Sequence, residues 1–158
     1  MSDSTRAEQE FHIRAAQAAD VSAMHECATV AYSHYTVRIG KPPGPMLEDY
    51  SQVVAAHEAF VAETHGAVVA FVVLIRTPET VLLDNVAVLP ACQGRGLGKR
   101  LIALAEARAR EHGFRAIDLY THERMVENAA MYERLGYRET GRKTVNGYRR
   151  IYMRKQLC

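Results

Sequence analysis

The stretch LLDNVAVLPACQGRGLGKRLI (residues 82–102) joins three kinds of segment. An apolar run closes at Leu89-Pro90, glycines recur at 94, 96 and 98, and an amphipathic segment begins at once with Leu97 and Leu101. Under strict alternation the run is apolar on both faces. Leu82, Val86 and Val88 fall on one face and Val81, Leu83 and Ala87 on the other, which predicts a strand central in its sheet. Glycines at those positions let the backbone approach an anion closely. The N–H groups of a new helix point at the same place, with the positive end of its dipole behind them. The pattern predicts a strand, an anion cradle and a helix.

Working outward, FHIRAA (11–16) alternates and predicts a first strand. Asp20 stands where an N-cap belongs, ahead of a helix over 21–35 in which Val21, Met24, Ala28, Ala31 and Tyr35 recur at helical spacing. Prolines 42, 43 and 45 with glycines 40 and 44 predict a stiffened loop without regular structure, followed by a short helix over 47–57. Strands over 59–64 and 67–75 are joined by a turn at His65-Gly66. After the glycine loop, Leu97, Leu101, Leu104 and Ala105 form an apolar stripe with Arg100, Glu106 and Arg110 outside it, and Gly113 ends the helix. AIDLYT (116–121) reads as another strand, Met125 to Leu135 as a helix stopped at Gly136, and Asn146-Gly147 as a tight hairpin turn. This order predicts a mixed α/β fold with a sheet part antiparallel and part parallel.

The length of 158 residues suits one domain, expected over 11–158 behind a polar, flexible segment 1–10. A net charge of +2 gives no electrostatic footprint for nucleic acid. No apolar run approaches the roughly 18 to 20 residues of a membrane span, so no membrane partner is expected. Cys27, Cys92 and Cys158 are an odd number at no metal-like spacing, and MSDSTRAEQEF has no apolar core of a signal peptide. A reduced cytoplasm and the absence of a metal are the expectations.

Three phosphate-binding patterns bear on this loop. The Walker loop fails because Gly98-Lys99 is followed by Arg100 and the position five before Gly98 is Gln93. The dinucleotide fingerprint fails because position 99 is Lys where a third glycine belongs, and no acidic residue follows a second strand at the required distance. Gln93-Gly94-Arg95-Gly96-Leu97-Gly98, set between strand and helix, resembles the Q/R-x-x-G-x-G/A pyrophosphate loop of the GNAT superfamily of acyl-CoA N-acyltransferases. NAAMYERLGYRETG (128–141) resembles the closing helix and strand of the same family. The resemblance covers residues 11–156 in element order and 81–141 in detail.

The resemblance implies a GNAT-like central mixed sheet of six to seven strands, splayed at the acyl-CoA site and flanked by about four helices. It implies acetyl transfer from acetyl-CoA to an amine by direct attack in a ternary complex. Gln93, Gly94, Arg95, Gly96, Leu97, Gly98 and Lys99 would hold the pyrophosphate, with Arg100 adding charge. The backbone of Val86, Ala87 and Val88 would take up the pantetheine arm, one N–H polarising the thioester carbonyl. Tyr132, in the pattern Y-x-x-x-G-[FY], would protonate the leaving sulfur. Many members carry an asparagine seven residues before that tyrosine; here Met125 holds the place, and Asn128, four before, is the carry-over.

An alkyl amine titrates near about 10 and a thiol near about 8.5, so one proton must be removed and another supplied. Asp84, Asn85, His122 and Glu123 are candidates for the base, since both strand ends border the expected cleft. Cys92 adjoins the loop without an evident histidine partner, which speaks against a covalent acyl-enzyme. The segment AYSHYTVRIGKPPGPMLEDY (31–50) is expected to wall the acceptor pocket. In it Tyr35 lines the pocket, Asp49 or Glu48 draws an ammonium, and Arg38 favours a carboxylate. The acceptor is a small-molecule or peptide amine, with no acidic cluster to mark a polycation site. Dimers are common in the family, and a homodimer is open. The opposing reading is a non-catalytic acyl-CoA-binding module on the same fold.

Overall fold

The structure, a computed structural model, describes residues 11–157. The expected flexible segment 1–10 and Cys158 lie outside the described residues. Seven strands form one sheet in the order β1-β2-β3-β4-β5-β7-β6. They are β1 (His12–Ala15), β2 (Glu58–Thr64), β3 (Ala67–Arg76), β4 (Val81–Val88), β5 (Ala116–His122), β6 (Arg138–Val145) and β7 (Tyr148–Gln156). Every neighbouring pair is antiparallel except β4 and β5, which are parallel and joined by a helical crossover. The helices are α1 (Val21–Tyr32), α2 (Tyr35–Ile39), α3 (Gly44–Leu47), α4 (Tyr50–Ala56), α5 (Leu97–Glu111) and α6 (Val126–Arg134). The mixed α/β fold read from the sequence is the one observed.

Two apolar clusters lie on opposite faces of the sheet. On one, Leu97, Leu101, Ile102 and Ala105 of α5 pack over Val72, Leu74, Val81 and Leu83. On the other, Met24, Cys27 and Ala28 of α1 with Tyr50 and Val53 of α4 cover Phe71, Val73 and Ala87. Burying both faces of the central strands is what their near-continuous apolar sequence requires.

The simple alternation expected for β4 fails at one residue. Val73 pairs with Asn85 but Leu74 pairs with Leu83, so Asp84 is the extra residue of a β-bulge. The faces exchange there: Val81 and Leu83 share the α5 side with Val86 and Val88, while Asn85 and Ala87 face α1. The α5 stripe is likewise shifted. Ile102 is fully buried where Leu104 is only half-buried. Glu106 is buried rather than outside, accepting from Tyr137 Oη (3.0 Å) and Lys155 Nζ (2.9 Å).

The α1 region departs from expectation in four further places. Asp20 does not cap α1; its carboxylate is held by the Arg14 fork (2.8 and 2.9 Å) and by Gln17 N–H (2.7 Å), which keeps it below the usual carboxylate range. The helix expected over 21–35 stops at Tyr32, because Thr36 N–H bonds back only three residues, to Ser33 O (3.1 Å), and tightens the chain before α2. The proline segment is not devoid of regular structure: α3 forms with Pro45 in its first turn, where a missing N–H costs nothing. The next helix starts at Tyr50 rather than 47, because Asp49 caps it. Among the described residues no helix is long and apolar enough to cross a membrane.

Candidate active site

β4 and β5 pair only at Leu82↔Asp118 and Leu83↔Leu119, although the strands run on to Val88 and His122. Beyond the Asp84 bulge they part, and β4 stays paired to β3 alone as far as Val88↔Ala70. Leu89 N–H donates to Val69 O (2.9 Å), so ladder alternation turns the backbones of Ala87 and Asn85 to β3 and those of Val86 and Val88 to the gap. Val86 O is taken by Tyr32 Oη (2.7 Å) and Val88 O by Gln93 Nε2 (3.1 Å). The N–H groups of Val86 and Val88 therefore line the gap. Ala87, expected with them, gives its backbone to the sheet instead.

The glycine loop closes one end of this gap. Gly94 (φ 82°) and Gly96 (φ 78°) are left-handed, and a Cβ on either would meet nothing within 4 Å, so backbone conformation and not crowding requires glycine there. Gly96 is the N-cap of α5, and its carbonyl takes the first helical bond, from Arg100 N–H (3.1 Å). The amides of the first turn lack helical acceptors and face the dipole's positive side. Gly98 sits against β4: a Cβ placed on it would lie 3.8 Å from Val88 Cγ2. Leu97 is buried and anchors the helix start, while Arg95 and Lys99 are exposed. The Gln93 bond to Val88 ties the loop to the strand end, making cradle and gap one groove.

Val86, on the gap side of β4, also lines a cavity of about 230 Å³, which the Asp84 bulge and the end of β5 wall on the side away from the glycine loop. Tyr132, on α6, lines it; the ring is buried edge-on to Tyr137 (5.7 Å), and its hydroxyl has no hydrogen-bond partner among the described residues. Burial, then the neighbouring Tyr35, raises its pKa to about 12, so the phenol keeps its proton. Asn128 also lines the cavity, beside Met125, with Nδ2 3.7 Å from the Met125 sulfur.

Asp84, put into the cavity by the bulge, accepts from Tyr120 Oη (3.4 Å), and burial raises its pKa against that bond. Asn85 is committed to structure. It accepts from Tyr32 Oη (2.9 Å), sharing that one proton with Val86 O, and donates to Tyr50 Oη (3.0 Å), which donates to Pro45 O (2.6 Å). This buried chain fixes β4 to α1 and the proline segment. Asn85→Ala is expected to destabilise the fold by between about 1 and 3 kcal/mol, because the Tyr50 oxygen loses its donor in a dry site. The measurement is the urea midpoint at constant slope; an unchanged midpoint would remove the network from the stability account.

Other expected site residues divide. His122 lines the cavity, but its Nδ1 accepts from Arg124 N–H (3.0 Å), so the neutral ring carries its proton on Nε2. Burial first, then Arg124, Lys41 and Arg149, lowers its pKa against the pull of Glu123. Glu123 stands outside the cavity, paired with Arg149 (3.1 Å) and Arg142 (3.7 Å). Tyr35 and Arg38 also stand outside: Arg38 Nη1 donates to both Glu127 oxygens (3.0 and 2.8 Å), and Tyr35 Oη to Glu127 Oε2 (3.5 Å). They clamp α2 to the first turn of α6. Asp49 is spent on its cap, accepting from Ser51 N–H (3.0 Å) and Gln52 N–H (3.4 Å). Its neighbour Glu48 lines the cavity, its pKa raised by burial and by Asp84.

Tyr32 lines the cavity from the segment expected to wall the pocket, whereas Tyr120, Tyr148 and Arg150 line it from strand positions that sequence reasoning gave no site role. Tyr148 Oη donates to Pro42 O (2.6 Å), and Lys41 donates to Asn146 O (3.1 Å) while lying over the Tyr148 ring. The β6–β7 hairpin tip thus docks on the proline segment beside the cavity. The period-two run Tyr148, Arg150, Tyr152 was the available signal for a face with chemistry.

Comparison with known proteins gives the class. Residues 22–137 match the model of the Acetyltransferase (GNAT) family, and the chain belongs to that family. It is 34% identical over 99 residues to the uncharacterized N-acetyltransferase YjgM of Escherichia coli K12, 59% of each chain. It is 40% identical over 60 residues to N-alpha-acetyltransferase 80 of Mus musculus, 38% of this chain and 18% of that one. The matches thus span less than two thirds of either relative. The N-acetyltransferase PaiA of Thermoplasma acidophilum, solved in complex with coenzyme A, shares the fold with a TM-score of 0.77 at 16% identity, over 92% of this chain and 98% of that one.

Proposed function

We propose that this chain is an acetyl-CoA-dependent N-acetyltransferase acting on a primary amine of a small molecule or peptide, with residues 11–158 as one catalytic domain. One observation carries the reading: a left-handed glycine cradle at the start of α5 runs into the β4–β5 gap and ends at an unpartnered, protonated Tyr132. The residues present fit coenzyme A, since first-turn amides suit a pyrophosphate and the gap-facing N–H groups of Val86 and Val88 suit an amide-bearing arm. Acetyl-CoA, when bound, supplies an activated acyl carbon and a thiolate leaving group. Cys27 and Cys92, free thiols among the described residues, accord with a cytoplasmic setting.

The chain's own groups then divide the work. Asp84 takes, through an intervening water, the proton that an ammonium must lose to become a nucleophile. A gap-facing N–H of β4 stabilises the oxygen on which charge develops. As the N–C bond forms and the C–S bond breaks, Tyr132 Oη gives its proton to sulfur, and the second amine proton restores the phenol. One proton is released per turnover.

The reading is tested by calorimetric titration with acetyl-CoA, coenzyme A, ATP and NADH, followed by thiol release over an amine panel. Binding of ATP or NADH without acetyl-CoA would overturn it. Asp84 also predicts a pH dependence. Its folded pKa is raised, so the basic form, and with it kcat/KM, is lost as pH falls through a value above the ordinary 3.8. Asp84→Asn should remove that acid limb; a limb that persists assigns the base elsewhere.

A further inference from the structure

We propose that Arg150 makes this site selective for acceptors with a carboxylate beside the amine, that is, free α-amino acids. The inference rests on the transferase reading above and names the substrate class of the same cavity. The carboxylate is held by the Arg150 guanidinium and the ammonium by the Asp84 side.

Arg150 lines the cavity and makes no ion pair among the described residues, whereas Arg38, Arg142, Arg149 and Arg154 around it each hold a carboxylate. Its guanidinium stacks on the Tyr120 ring at 3.9 Å, and among the described residues its one hydrogen bond is a long one to Tyr152 Oη (3.5 Å). Stacking uses a face and leaves the planar N–H fork available, the geometry that matches a carboxylate with two parallel bonds. Its ladder partners are His122 on one side and Lys143 on the other, so no anion stands beside it in the sheet. Burial raises the Asp84 pKa and Arg150 is near enough to pull against that rise, but among the described residues no carboxylate bonds the Arg150 fork, which leaves it for a bound anion.

The opposite charge lies across the same ring. Tyr120 gives its hydroxyl to Asp84 and its face to Arg150, and Glu48 adds a second carboxylate to the cavity. The two poles are thus held a ring's breadth apart, as a zwitterion needs. A diamine would bring its second ammonium against Arg150, which disfavours polyamines. The volume of about 230 Å³, with the docked hairpin tip as one wall, is small for a ligand site, which suits a free small molecule. The carboxylate-binding role expected of Arg38 therefore passes to Arg150, because Glu127 already occupies Arg38.

The test is thiol release from acetyl-CoA with the proteinogenic L-amino acids and, in parallel, with the amines left when their α-carboxylate is removed. Acids should exceed their matched amines in kcat/KM by about tenfold or more. Arg150→Ala should raise KM for acids by about 10- to 100-fold, the worth of a charge-assisted pair, and by much less for amines. Arg150→Lys, which keeps the charge but not the fork, should recover part of the loss. Melting temperature and acetyl-CoA affinity are read on every variant, and Arg150→Gln carries the comparison if Arg150→Ala does not fold.

Amines that match or exceed the acids, or a loss shared equally by both sets, would overturn the proposal. Acetyl-CoA binding with turnover of other amines but of no amino acid overturns it while leaving the transferase reading intact. Failure to bind acetyl-CoA removes that reading, and this inference with it.

Discussion

Tyr132→Phe is expected to lower kcat for acetyl transfer by about 10²- to 10⁴-fold, the usual worth of a positioned general acid, with little change in acetyl-CoA affinity. The substitution is clean because of how the residue is packed. The ring contact with Tyr137 is kept, and the hydroxyl leaves no partner behind, since it has none among the described residues. The hydroxyl faces the cavity and bonds no described residue, so removing it should leave stability nearly unchanged. That combination, a stable protein that binds cofactor and does not turn over, separates a catalytic hydroxyl from one that only packs. With the phenol pushed up to about 12, the wild type should also show no alkaline limb from Tyr132 near neutrality. An unchanged kcat in the Phe variant would take Tyr132 out of the mechanism and favour a non-catalytic acyl-CoA-binding module.

What was legible in the sequence was whatever depends on a few contiguous residues. Gly94 and Gly96 announce left-handed backbone, and Asn146-Gly147 a tight hairpin; both stand where expected, with φ of 82°, 78°, 51° and 80° in that order. The apolar run 81–89 announced a central strand for the same reason. What was not legible depends on pairings distant in the chain. The Asp84 bulge arises from register between β3 and β4, and no letter in β4 encodes it. Yet it exchanges the faces, sends Asp84 into the cavity and turns Asn85 to Tyr32 and Tyr50. Arg38 and Arg150 make the same point from opposite sides. As letters they are equivalent cations near aromatic residues; only the fold gives Glu127 to the first and leaves the second facing the cavity. Glu48 and Asp49 are equivalent as letters before a short helix; two backbone N–H groups make Asp49 the cap and leave Glu48 on the cavity.

Gly96→Asp is expected to weaken acetyl-CoA binding by about 100-fold or more while the protein stays folded. Two local terms act on the fold with opposite signs. A non-glycine residue at φ 78° costs about 1 to 3 kcal/mol, and Asp is among the residues that tolerate this region best. A carboxylate at the positive end of a 15-residue helix returns about 0.3 to 1 kcal/mol. A Cβ there meets nothing within 4 Å, so no clash is added. Binding has no such offset. The new carboxylate sits among the first-turn amides that the pyrophosphate needs and repels it at close range. Gly96→Ala carries the strain without the charge, and comparing the two isolates the electrostatic part. Calorimetry should show a large loss for Asp and a small one for Ala, with the difference shrinking as salt is raised. Equal losses in the two variants would mean that the loop acts through its backbone shape and that its electrostatic role is minor. Retained affinity in the Asp variant would place the phosphates elsewhere.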